Sequence, residues 1–205
     1  MSPIVAWLQH FSYLTEGPAV WGLFLAGAVI YLIAEWRIRL LALFVQYFFL
    51  ALLFSRLFAN RPELALLKML VGWLICGALY FSARVRQDAV GGHSHFHWAA
   101  DLPFRAFSLA TFTLIAYLAS QRYALPFVPE NLALACFLLT VLALLFIGTE
   151  EDVVVVGVGV LNLLAALDMF YSSQDPGLLV TGLLIMMNLL VGLAVSYLAV
   201  VEVPE

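Results

Sequence analysis

Five polar side chains are embedded in long apolar runs of this chain, and they are the first candidates for chemistry: Gln46, Lys68, Asn162, Asp168 and Asn188. An uncompensated amide, ammonium or carboxylate in hydrocarbon is costly, so each needs a partner on another helix or contact with water. The three amides can supply interhelical hydrogen bonds that hold a bundle together, or line an ion pathway. Lys68 and Asp168 can also exchange protons, which makes them the candidate carriers on such a pathway. Glu35 and Arg56 lie near the ends of their runs, where a long side chain snorkels to the surface.

A second constellation is Gly91-Gly92-His93-Ser94-His95-Phe96-His97. In an extended chain, His93, His95 and His97 point the same way; in a helix His93 and His97 share a face. Neutral imidazoles at this spacing can bind zinc, nickel or copper, with Asp88 or Asp101 as a further ligand. The competing reading is a solvated glycine-rich loop. No histidine falls within the apolar runs, which argues against a bis-histidine haem. Cys76 and Cys136 lie in apolar runs and read as small core residues. No glycine-rich phosphate loop is present, and Gly157-Val158-Gly159 reads instead as a place where helices approach closely. No nucleophile–base pairing is legible, so the chain by itself is expected to be neither an enzyme nor a cofactor carrier.

The elements that position these groups follow from composition. Of 205 residues, 65% are hydrophobic and 11% charged, and the mean hydropathy is +1.05. A soluble domain is nearer half apolar and about a quarter charged. A globule of this size cannot hide so large a surplus, so lipid must cover it. The runs are continuous and not alternating, which selects helices over a barrel. A net charge of −4 argues against nucleic acid and leaves no polybasic patch for lipid headgroups. With no basic leader and no small-x-small cleavage site, the first membrane helix is expected to direct insertion.

Crossing ~30 Å of hydrocarbon takes ~20 helical residues. Seven runs qualify, at 18–36, 40–59, 64–83, 104–121, 131–148, 153–172 and 177–201, and all eight prolines fall outside them or at their edges. Trp21 and Trp36 mark opposite ends of the first run, as interfacial anchors do. Before it, Ile4, Trp7, Leu8 and Phe11 form one apolar stripe behind Ser2-Pro3, which predicts a short interfacial helix. The expected fold is therefore an all-α integral membrane protein, a single polytopic domain over 1–205 with seven transmembrane helices. They group as three, one and three: a first unit at 18–83, a linking helix at 104–121 and a second unit at 131–201. The charged segment Trp36-Arg37-Ile38-Arg39 is expected to be the turn between the first two helices. Because the linking helix restores direction, the two units form a candidate parallel repeat. Arg37, Arg39, Arg84, Arg86 and Arg105 lie on one side, against Arg56, Arg61 and Arg122 on the other. That bias predicts an outside N-terminus and a cytoplasmic C-terminus in the plasma (inner) membrane.

Two stretches carry a resemblance. One is Glu35-Trp36-Arg37-Ile38-Arg39 through Gln46, a basic turn followed by a glutamine in an apolar helix. The other runs from Leu67-Lys68-Met69 to Ala83-Arg84, with a lysine early in a helix and an arginine at its end. Together they resemble the hydrogenase-4 component E family of membrane subunits, which is similar in its last three helices to the K-type subunit of respiratory complex I. The resemblance implies a structural and ion-conducting subunit beside antiporter-like subunits. The chain departs from that pattern at Asn162 and Asn188, where the family carries acids in its sixth and seventh helices. Asparagine exchanges no proton at working pH, which separates membership from proton conduction through the second triplet. The turn Glu150-Glu151-Asp152 is also acidic where the family is basic.

The sequence thus predicts a non-catalytic membrane subunit of an energy-converting complex, with the lipid bilayer and other membrane subunits as partners. Three negative charges in the Glu150–Asp152 turn, with no basic sequence neighbour, are expected to meet a cationic partner subunit, the competing reading being hydration alone. The alternative is a free-standing small-solute transporter built from parallel repeats. The midplanes of the first and fifth helices, Gly27–Ile30 and Phe137–Thr140, offer that alternative little polar lining.

Overall fold

The computed structural model describes residues 17–58, 62–90, 98–123, 128–174 and 177–201. They form seven helices: α1 (Gly17–Leu32), α2 (Trp36–Leu57), α3 (Pro62–Val90), α4 (Trp98–Arg122), α5 (Glu130–Thr149), α6 (Val153–Gln174) and α7 (Leu178–Val201). No strand occurs among the described residues. The expected interfacial helix near the N-terminus and the loop histidines His93, His95 and His97 lie outside them.

Helix is the outcome even where propensity opposes it. α6 opens on Val153-Val154-Val155-Val156, a β-branched run that forms helix poorly in water. In an apolar medium the backbone must satisfy itself, and a helix does so within one segment. Asp152 starts this helix, its Oδ1 accepting from the Val154 N–H at 3.2 Å. Glu130 places a negative charge in the first turn of α5, where the helix dipole favours it.

Six helices, α2 to α7, are long and apolar enough to cross a membrane. These are the features of a multi-pass helical membrane protein. α1 is shorter than its apolar run suggested, 16 residues or ~24 Å of rise. It ends at Leu32 because the chain breaks at Ile33–Glu35, ahead of the charged segment expected to form the turn. Trp36 to Arg39 are already helical, the Arg39 N–H bonding the Glu35 carbonyl at 3.0 Å. The Arg39 side chain turns back and donates from Nε to the Ile33 carbonyl at 2.6 Å, which closes the break. Trp36 therefore opens α2, packed 5.5 Å from Tyr80, and does not close α1. α3 and α4 both extend past the apolar runs, since a helix need not stop where hydrocarbon does. As a result Pro103, expected at an edge, lies inside α4. It is close enough to the N-terminal end that few backbone bonds are lost.

The helices close into a ring of neighbours, α1–α2–α3–α7–α6–α5 and back to α1, with α2 also touching α6 across the middle. α4 lies outside, against α5 and α1. Burial follows this order: 56% of the spanning window is buried in α5 and in α6, against 11% in α4. Leu23, Leu43, Phe54, Ile75, Leu142 and Phe146 belong to one continuous core. Close approach needs glycine at two of its contacts. A Cβ on Gly72 would lie 2.3 Å from the Tyr47 ring, and one on Gly157 2.2 Å from Val195.

Candidate functional site

The five polar residues singled out in the sequence all fall on α2, α3, α6 and α7, the helices that meet at the centre of the ring. Lys68 lies early in α3 and Asp168 late in α6. Antiparallel packing brings the two together, with Nζ 2.7 Å from Asp168 Oδ1. Ser172, one turn beyond Asp168, donates to the same carboxylate oxygen at 3.2 Å and accepts from Lys68 Nζ at 3.3 Å. The ammonium also lies 3.6 Å from the centroid of the Phe54 ring and 5.0 Å from that of Phe58. A cation over an aromatic face is attracted by the ring quadrupole, more so when desolvated. Lys68 and Asp168 are only 7% and 8% exposed, so both charges are held by the protein and not by solvent.

Gln46 and Asn162 meet half-way along α2 and α6, where Gln46 Nε2 donates to Asn162 Oδ1 at 2.9 Å. Asn188 of α7 lines a small cavity together with Lys68, Asp168, Tyr47 and Phe54. A second cavity lies beside Gln46 and Asn162, and the walls Tyr47, Leu50 and Ala165 are common to both. The five residues thus form one polar line, with Lys68–Asp168 at one end and Gln46–Asn162 at the other. Ser172, Tyr47 and Phe54 join it without having been singled out. Ser172 could have been found, since it is four residues after Asp168 and shares its helix face. Nothing local marks Tyr47 or Phe54 among the many aromatics of α2.

A different polar region occupies the opposite end of the same helices. Arg39 of α2, Arg86 of α3 and Arg105 of α4 converge on the turn between α5 and α6. Arg105 bonds Glu150, and its Nη1 also donates to the Tyr31 carbonyl at 3.0 Å. Arg86 Nη1 lies 2.9 Å from Asp152 Oδ1, while Arg39 reaches Glu150 at 3.8 Å and Asp152 at 3.9 Å. Thr149 Oγ1 and the Tyr31 hydroxyl are hydrogen-bonded at 3.2 Å, with the Thr149 proton directed to the Leu145 carbonyl at 2.7 Å. The acidic turn, which from sequence alone leaves water or a cationic partner subunit to compensate it, is instead met within the chain. Its cations come from three other helices of the same chain, distant in sequence and adjacent in space. Of the three acids, Glu151 is the exposed one.

Between the two regions the bundle is apolar, with Leu43, Ile75, Leu79, Leu142, Phe146 and Val158 all buried. A lateral polar contact joins α3 and α7, a 2.6 Å hydrogen bond between Ser82 and Ser196. Cys76 and Cys136 are buried free thiols, in keeping with core packing. Among the described residues no group of three histidine, cysteine or acidic side chains is arranged to hold a metal.

No known protein family, curated protein or solved structure matches the chain.

Proposed function

We propose that the chain is a non-catalytic membrane subunit of a larger energy-converting assembly, of the membrane-bound hydrogenase or complex I-like kind, in which Lys68–Asp168 is the ion-responsive element. The observation that carries this reading is an ion pair of two buried side chains inside the bundle, with buried amides lining the same cavity and the one beside it. Intramembrane ionisable pairs mark ion and proton pathways more often than they serve packing alone. The adjoining cavities are of single-water size, which suits water or a small ion and not an organic solute. The resemblance carried by Glu35 to Gln46 and by Lys68 to Arg84 supports the same reading, with antiporter-like subunits as neighbours.

Within that reading α1 is a seventh span, tilted little and matched by local thinning of the bilayer. The helices form two parallel units of three, α1–α3 and α5–α7, joined by α4. Support comes from the neighbours: α1 touches α5, α2 touches α6 and α3 touches α7, each helix against its counterpart. The arginine-rich end is cytoplasmic by the positive-inside rule, which leaves the N-terminus outside in the plasma (inner) membrane. The weakly buried faces of α4 and α7 are lateral surfaces open to other subunits.

Purification from native membranes in a mild detergent tests the assembly. The chain should leave the membrane with large hydrophobic partners, and Lys68→Ala should lower ion-coupled activity of the complex while partners are still recovered. A monodisperse monomer that transports a solute by itself overturns the reading.

A further inference from the structure

Four buried polar atoms in the middle of the bundle lack a hydrogen bond of good geometry among the described residues: Gln46 Oε1, Asn162 Nδ2, Asn188 Oδ1 and the Tyr47 hydroxyl, which has the Asn188 side chain close by. A single orphaned polar atom costs about 1–3 kcal/mol, so four around one place call for a ligand. They are also chemically mixed. Gln46 Oε1 and Asn188 Oδ1 accept, Asn162 Nδ2 donates, and the Tyr47 hydroxyl does both. An ion of either sign would satisfy some and oppose others, whereas water donates and accepts at once. The two cavities that these residues line share Tyr47, Leu50 and Ala165, and each has the size of about one water molecule.

We propose that this space is a binding site for a short file of water, which runs from Lys68–Asp168 to Gln46–Asn162 and ends there. One water bridges Tyr47 and Asn188 beside the ion pair. The next bonds the free amide atoms of Gln46 and Asn162. Leu43 walls that cavity, and beyond it Ile75, Leu79, Leu142, Phe146 and Val158 offer no partner, so a water among them would lose its hydrogen bonds. The file is therefore one-ended: it hydrates the buried pair and stops half-way through the bundle. The site stands on side-chain chemistry alone, whether or not the chain works in an assembly.

Radiolytic hydroxyl-radical labelling of the full chain in lipid nanodiscs tests it, because radicals formed from bound water oxidise the nearest side chains. Tyr31 and Tyr47 are 0% and 5% exposed, and Tyr31 is the nearer to a helix end. Tyr31 is the dry reference, and because Tyr47 is the more exposed of the two, the fall of its labelling in Asn188→Leu is what separates bound water from bulk solvent. Bound water should label Tyr47 several-fold faster, and the excess should fall in Asn188→Leu. Equal labelling of the two wild-type tyrosines overturns the site, and so does an excess at Tyr47 unchanged by Asn188→Leu. The closed end is tested in proteoliposomes under an imposed pH gradient. Proton leak through the chain alone should match that of empty liposomes. A leak above that level, lost in Gln46→Leu, would mean a continuous path and would overturn the one-ended file.

Discussion

The Lys68 region and the arginine-rich end are both ion-paired, yet they solve different problems. At Lys68 one cation meets one carboxylate, with a serine and two aromatic rings completing the shell. Neither charge has a second ionic partner among the described residues. At the other end three arginines share Glu150 and Asp152, and the Asp152 side chain is 37% exposed. Loss of one arginine there leaves the acids with other cations and with water. The first region is a single point of failure, and the second is redundant.

Four expected outcomes break or sharpen that contrast. The largest concerns the buried pair. Lys68→Leu or Asp168→Leu alone strands the opposite charge and should lower stability by about 3–5 kcal/mol. The double variant Lys68→Leu/Asp168→Leu should recover most of that loss, as read from thermal unfolding in detergent. A double variant as unstable as the singles would mean that shape, and not charge, is what the pair provides. Next is Glu150→Gln, which weakens the bonds to Arg39 and Arg105 but leaves Asp152 in place. A loss of about 1.5–3 kcal/mol is expected in the same assay. Third, Gln46→Leu should cost about 0.6–2 kcal/mol, the range for interhelical hydrogen bonds in membranes. Asn162→Leu added to it should cost little more, because the two amides act together. The smallest effect is expected at Asp152→Asn. Its part-exposed pair with Arg86 contributes about 0.2–1 kcal/mol, and the difference from wild type should shrink in high salt. A salt-independent loss as large as that of Lys68→Leu would erase the distinction between the two ends.

The sequence marks which residues matter at the centre better than it marks how they meet. Gln46, Lys68, Asn162, Asp168 and Asn188 stand out because polarity is conspicuous against uninterrupted apolar runs. Their pairing is not legible, since these helices are apolar on every side and lipid-facing and protein-facing stripes look alike. With no amphipathic register, nothing in the sequence turns Asp168 toward Lys68 or Gln46 toward Asn162. The arginine-rich end shows the converse. Arg39, Arg86 and Arg105 can be placed at one end by counting spans, but the acidic turn looks uncompensated because its cations arrive from 45 or more residues away. The end of α1 escapes for a local reason. Ile33–Glu35 breaks the helix through a side-chain bond from Arg39 to the backbone, an interaction that hydropathy does not register.

The separation of Lys68 from Asp168 by 100 residues also sets a clock for biosynthesis. At ribosomal speeds of about 5–20 residues per second, α3 is made roughly 5–20 s before the segment that neutralises its lysine. During that interval the ammonium lacks its carboxylate, while Phe54 and Phe58, which pack on it in the folded chain, have already been made. The aromatic rings thus belong to the order of manufacture as well as to the finished bundle. In the finished bundle the same rings lie 3.6 Å and 5.0 Å from the ammonium, and Asp168 ties the second half of the chain to the first.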